Sequence, residues 1–401
     1  MGKYSSFYSS GIEEGVRVLS AQEKMAMRKT RQMRLSFGDP SPASFPNDEV
    51  VEALTLAFRE EPDLVLQYGA GEVAEDLRAF LCERAARRGM SASREQLLVT
   101  SGSTEALDLV SRILLDPSDL IFTEAPTFMG ALSVFRKFGV QIQGCELDED
   151  GLRTDALAYD LDRRLRNDHT MPKFLYVIPN FQNPTGTTML LQRRRELLSL
   201  AAEYNLLILE DDAYGELRFE GEDVPTLWEL DEEGRVIHVG TFSKVIAPGL
   251  RLGWVFADEE IIGQLDAMRP GYGNGVSESL AAKYCRRMVD FDARVASLRE
   301  MYRQRRDVML RALEEHMPGD VRWNRPAGGL FIWMRLPEGI DSDQFVAKAG
   351  LRGVALLRSS LFYPDGVASD GLRLSYSLES HDGLEQAARI MGELMRDMRC
   401  S

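Results

Sequence analysis

The chain has 401 residues, 44% of them hydrophobic, enough to bury a sizeable core in one large or two smaller domains. Acidic residues outnumber basic ones 63 to 48, giving a net charge of −15 that argues against nucleic acid or an anionic membrane as the main partner. Cys82, Cys145, Cys285 and Cys400 are widely spaced and His169, His238, His316 and His381 are scattered, so neither a disulfide framework nor a metal site is expected.

Residues 1–45 read as a polar arm that ends in the Gly/Pro-rich run Ser36-Phe37-Gly38-Asp39-Pro40-Ser41-Pro42. Over 46–280, helical and strand patterns alternate. Helices are predicted at 75–88, 104–115 and 191–204, and strands at 96–100, 120–123, 173–178, 206–209, 236–240 and 252–257. Such alternation predicts an α/β fold, a doubly wound and mostly parallel sheet. Residues 281–401 are expected to form a smaller domain with a long linking helical stretch, 279–316, followed by an α+β part with strands at 330–335 and 373–377 and helices at 343–349 and 381–398. No apolar run approaches the roughly 18 residues of a membrane span. The N-terminus lacks a basic-then-apolar leader, so a cytoplasmic protein is expected.

Ligands of an open parallel sheet sit beyond the carboxyl ends of its strands, and four polar segments follow strands directly. In Thr100-Ser101-Gly102-Ser103-Thr104-Glu105, amides and hydroxyls at a helix start suit an anion, although helix capping accounts for them equally well. Pro179-Asn180-Phe181-Gln182-Asn183-Pro184-Thr185-Gly186 offers side-chain amides, but Asn-Pro-Thr-Gly alone is simply a turn. Glu210-Asp211-Asp212-Ala213-Tyr214 sets three acids at a strand end. They suit a cationic partner such as a protonated pyridine nitrogen, or a Mg²⁺ ion, for which no P-loop is at hand. In Gly240-Thr241-Phe242-Ser243-Lys244, one lysine stands among small hydroxyl residues, with Arg251 seven positions on. That is a Schiff-base amine beside a phosphate site, or a surface lysine in a polar loop.

Taken together and in this order, these segments resemble the fold-type I pyridoxal 5'-phosphate (PLP) enzymes of aminotransferase class I/II. The resemblance is to the aminoadipate/kynurenine aminotransferase-like branch and runs over residues 38–377. It implies a large PLP-binding domain and a smaller domain built from the C-terminal part and the N-terminal arm. It implies that Lys244 carries the cofactor and moves the substrate proton, that Asp211 pairs with the ring nitrogen, and that Asn183 and Tyr214 donate to the ring oxygen. Phe128, in Ala125-Pro126-Thr127-Phe128, matches the stacking aromatic. Ser103, Thr104, Thr241, Ser243 and Arg251 match the phosphate cup. Arg373, in Gly371-Leu372-Arg373-Leu374-Ser375, matches the clamp on the substrate carboxylate, and Gly38 the glycine over the substrate. Tyr68 matches a tyrosine that reaches the neighbouring subunit's cofactor, which implies a homodimer with shared active sites.

Gly69-Ala70-Gly71-Glu72-Val73-Ala74 fits a dinucleotide fingerprint. The next strand ends in Thr-Ser-Gly-Ser where an acid would be wanted, so that reading fails its own context. One departure from the branch is Leu357-Arg358-Ser359-Ser360-Leu361, where Arg358 adds a cation on the expected substrate side. Recognition of a negative or polar side chain and an ion pair with a surface acid are equal readings of it. The resemblance implies transfer of an amino group between an amino acid and a 2-oxo acid through a Lys244 Schiff base. The alternative is a PLP-dependent lyase, β/γ-substitution, cyclisation or oxidation enzyme of the same fold. A third class, a regulator carrying an aminotransferase-like domain, lacks support because no basic DNA-binding segment is visible.

Overall fold

A computed structural model describes residues 32–67, 73–167, 170–269 and 273–399. Eight strands form the central sheet. Across it they follow the order Leu97–Thr100, Gly253–Phe256, Val236–Thr241, Leu207–Asp211, Phe174–Val177, Leu120–Ala125, Gln141–Asp148 and Gly151–Leu152. The middle five are parallel, Gly253–Phe256 runs against both neighbours, and Gly151–Leu152 hairpins back on the edge. The inner strands Phe174–Val177 and Val236–Thr241 are buried along their whole length, as their largely apolar sequences require when helices cover both faces. One large apolar cluster fills the side bearing helix Ser103–Leu114. A second, around Leu157, Leu161, Leu197 and Ala201, fills the other.

The C-terminal part adds a three-stranded antiparallel sheet, Arg322–Trp323, Phe331–Arg335 and Gly371–Ser375. Helix Phe291–His316 packs along helix His381–Arg399. Met33–Arg34 pairs in parallel with Val354–Ala355, so the chain preceding the large sheet is tied to the C-terminal part.

Two differences from the sequence reading have plain causes. The expected helix over 279–316 is two helices, Gly275–Lys283 and Phe291–His316, joined by a π-helical turn, Tyr284–Met288. Val289 is extended and the Asp290 carboxylate accepts from the amides of Asp292 and Ala293, so a new N-cap starts the second helix. Strand Gln141–Asp148 lies near the sheet edge, largely accessible, and its polar residues hid it from a pattern search. Helices Asn47–Glu60 and Thr154–Arg166 also went unassigned in the sequence reading.

Candidate active site

The polar segments meet where the strand ends predict. A cavity of about 220 Å³ is lined by Gly38, Ser103, Thr104, Phe128, Asn183, Asp211, Tyr214, Thr241, Ser243, Lys244, Arg251 and Arg373. Phe37, Asp39, Met129 and Phe331 complete much of the wall. A larger cleft of about 640 Å³, bordered by Trp323, Trp333 and Tyr363, opens beside the Thr185–Thr187 turn. None of the candidate residues line it.

Lys244 stands in the turn after strand Val236–Thr241, and its Nζ donates to the Gly38 carbonyl at 2.9 Å. Enclosure in the cavity wall pushes its amine down to about 8, opposed by the negative charge of Asp39. Two hydroxyls beside it are tied together: Thr241 Oγ1 donates to Ser243 Oγ at 2.9 Å, and the Ser243 amide donates to Thr241 Oγ1 at 3.1 Å.

At the start of helix Ser103–Leu114, Gly102 takes φ of 87° as the N-cap. A Cβ there would stand 2.8 Å from Arg251 Nη2, so glycine is what lets the arginine approach the helix start. Arg251 itself holds φ of 51° and reaches back to the Ser101 carbonyl at 3.3 Å. Free helical amides, hydroxyls and a guanidinium therefore converge in an anion-binding cup.

Asp211 ends strand Leu207–Asp211 and is 4% exposed. Burial pushes its carboxyl up to about 6, with the Tyr176 hydroxyl opposing that shift. Oδ2 accepts from that hydroxyl at 2.8 Å, whereas Oδ1 is buried without a hydrogen-bond partner. Its neighbour Asp212 accepts from Asn180 Nδ2 and Arg88 Nη2, each at 2.8 Å. Burial alone would raise the Asp212 carboxyl. Arg88 chiefly holds it below its ordinary value instead.

On the cavity's other wall, Asn183 Nδ2 donates to the Tyr214 hydroxyl at 3.2 Å, and Asn183 Oδ1 accepts from Arg373 Nη1 at 2.7 Å. Arg373 is 3% exposed and lies over the rings of Phe331 and Phe362 at 4.4 and 4.7 Å. It also donates to the Ser36 carbonyl, and its Nε has no partner. A buried guanidinium with spare donors suits an incoming carboxylate. Gly38 is held close to Phe331, whose ring would lie 2.6 Å from any added Cβ.

One sequence candidate lies outside the described residues and another does not join the cavity. Tyr68, like Gly69–Glu72 of the fingerprint, lies outside the described residues. Arg358 is exposed and absent from the lining. It precedes the turn Ser359–Phe362, whose buried members Leu361 and Phe362 pack with Leu357 and Met129 while the arginine stays outside. The sequence reading missed Tyr176, a tyrosine inside an apolar strand, as well as Asp39 and Phe331. Tyr176 carried no signal beyond strand burial. Asp39 lies next to the singled-out Gly38.

Comparison with known proteins identifies the family. Residues 30–390 match the family described as aminotransferase class I and II. The aromatic-amino-acid aminotransferase 1 of Thermococcus litoralis is 35% identical over 97% of this chain and 94% of its own length. The kynurenine aminotransferase of Pyrococcus horikoshii, solved with PMP, superposes with a TM-score of 0.90 at 33% identity, over 99% of this chain and 98% of that one. The α-aminoadipate aminotransferase LysN of Thermus thermophilus, complexed with N-(5'-phosphopyridoxyl)-L-leucine, gives 0.89 at 33% identity over all of both chains.

Proposed function

The chain belongs to the class I and II aminotransferases, PLP-dependent transferases, and on that premise we propose how its own residues divide the work of moving an amino group between an amino acid and a 2-oxo acid. The observation that carries the reading is one cavity in which Lys244 and the unpaired Asp211 oxygen share a wall with Arg373. The residues fit PLP. A buried carboxylate oxygen without a donor suits a ring N–H⁺, and the Gly102–Arg251 cup suits a phosphate.

When bound, PLP supplies a covalent attachment point for the substrate nitrogen and an electron sink for its α-carbon. Lys244, Ser103, Thr104, Thr241, Ser243 and Arg251 would hold it, with Phe128 against the ring face and Asn183 and Tyr214 at the ring oxygen. Arg373 binds the substrate α-carboxylate and so orients the α-carbon toward Lys244. Lys244 Nζ would take the proton from the substrate α-carbon and hand it across the C–N bond rather than back, the 1,3-shift that amino transfer requires. A depressed amine pKa keeps a useful share of it neutral near pH 7–8. Gly38 confines the substrate from above.

The side-chain wall is apolar. Phe37, Met129 and Phe331 line the cavity, and the first two pack against Leu357, Leu361 and Phe362. This favours amino acids with aromatic or aliphatic side chains and leaves Arg358 without a described path to the substrate. A homodimer fits the exposed Val51, Phe58 and Leu66 on helices Asn47–Glu60 and Pro62–Leu66, which lead directly to Tyr68. No helix among the described residues is long and apolar enough to cross a membrane. Work in the cytoplasm stays the reading of the sequence.

The test is optical. Purified protein should show a visible absorbance band that borohydride reduction removes and that Lys244→Ala lacks, with turnover lowered by at least about a thousandfold. An aromatic amino acid should discharge the band and a 2-oxo acid should restore it. Ammonia released without any need for an oxo acid would favour the lyase alternative.

A further inference from the structure

Strand Phe174–Val177 lies between Leu120–Ala125 and Leu207–Asp211, and Tyr176 on it is fully buried. Its register partners are Thr123 on one side and Leu209 on the other. Two residues beyond Leu209 stands Asp211, whose Oδ2 accepts the Tyr176 hydroxyl at 2.8 Å. The Tyr176 ring meets Phe135 edge-on at 5.4 Å, so packing fixes the ring independently of its hydroxyl.

A phenol in an apolar strand is costly to bury without a partner. Here the partner is a carboxylate whose other oxygen, Oδ1, lies buried and unbonded in a residue of the cavity wall. A carboxylate free to rotate would offer its oxygens interchangeably. Donation from Tyr176 removes that freedom.

We propose that Tyr176 is a positioning residue: its hydroxyl engages Asp211 Oδ2, fixes the carboxylate plane and leaves Oδ1 for the ring nitrogen of PLP. The inference rests on the assignment of Asp211 to that nitrogen. The donated hydrogen bond also stabilises the carboxylate as an anion. That effect acts against burial and the charge of Asp212 on the adjacent backbone, and together with His238 on the neighbouring strand. Glu124, near the end of Leu120–Ala125, is the further acid of this row. It is itself engaged by the Ile178 amide and Gln182 Nε2 at 3.1 and 3.0 Å, and burial pushes its carboxyl up to about 8. Asp211 is thus the acid of the row that the cofactor would meet, and Tyr176 leads the groups that favour its anion against burial, ahead of the Ala213 amide and His238.

The experiment compares wild type with Tyr176→Phe, which removes one oxygen and keeps the packed ring. PLP affinity, followed by absorbance and by quenching of tryptophan fluorescence, should fall about tenfold. The pH at which the visible band titrates should rise by about half a unit or more, because a less firmly held ring proton withdraws less charge from the Lys244 linkage. Asp211→Asn supplies the second background. There, the added Tyr176→Phe change should leave PLP affinity nearly unaltered, as the pair acts as one unit. Equal affinity and an equal titration midpoint in wild type and Tyr176→Phe would overturn the proposal. So would the same loss in both backgrounds, which is what a purely structural tyrosine would give. If wild type itself bound no PLP, the assignment of the site would fail instead.

Discussion

Asp211 and Asp212 are adjacent, both buried and both at one strand end, yet they live in opposite electrostatic worlds. Asp212 is closed off by Arg88 and Asn180, and Arg194 in turn braces Asn180 Oδ1 at 2.7 Å and the Pro179 carbonyl at 3.0 Å. Its carboxyl is held low. Asp211 has one oxygen engaged and the other unmatched, and its carboxyl is pushed up to about 6. The first side is a completed network that fixes the turn carrying Asn183. The second is left incomplete, and an incomplete buried site is where a ligand gains most. One strand end thus carries a satisfied acid beside an unsatisfied one.

The largest effect should come from breaking the completed side. Arg88→Ala leaves Asp212 buried without its cation and should lower the unfolding free energy of PLP-free protein by about 3–5 kcal/mol in urea. A loss below about 1 kcal/mol would erase the contrast.

Asp211→Asn should do the reverse in PLP-free protein. A folded-state carboxyl near 6 against an ordinary value of 3.8 means that the unfolded chain gives up this proton more readily. Native stability therefore falls as pH rises from about 4 to 6, and the full penalty is present at pH 7. The variant should be more stable than wild type by about 1–3 kcal/mol at pH 7, a gap that closes toward pH 4. Its turnover should nevertheless drop sharply. An unchanged unfolding midpoint at pH 7 would show that Asp211 is not poised at a cost.

The smallest effect concerns Lys244. Its amine sits near 8 rather than the ordinary 10.5, so PLP association with stripped protein should accelerate with pH around a midpoint near 8. Asp39 opposes the depression, and Asp39→Asn should move the midpoint down by less than about one unit. A midpoint above 10 would mean that enclosure does not tune the lysine.

Much of this molecule was legible in the chain. Strand ends carrying Lys244, Asp211 and Asn183 could be read because apolar runs and turn residues alternate strongly there. What escaped had physical reasons. Gln141–Asp148 is a polar strand near the edge, without the apolar run of its buried neighbours. The break before Phe291 rests on one Asp290 cap inside a long helical pattern. Arg358 was expected on the substrate side because the family resemblance places that stretch there, but the turn it precedes buries Leu361 and Phe362 and leaves the arginine in solvent.

By itself, the sequence determined the α/β architecture and the chemistry available at each strand end, since both follow from local periodicity and residue type. Only the tertiary structure decided which of three consecutive acids is left unsatisfied, which tyrosine holds it, and that Phe37, Met129 and Phe331 line the same cavity as Lys244. Those outcomes depend on distances between segments tens to hundreds of residues apart, such as Ser36 to Arg373 or Tyr176 to Asp211, and no local pattern encodes them.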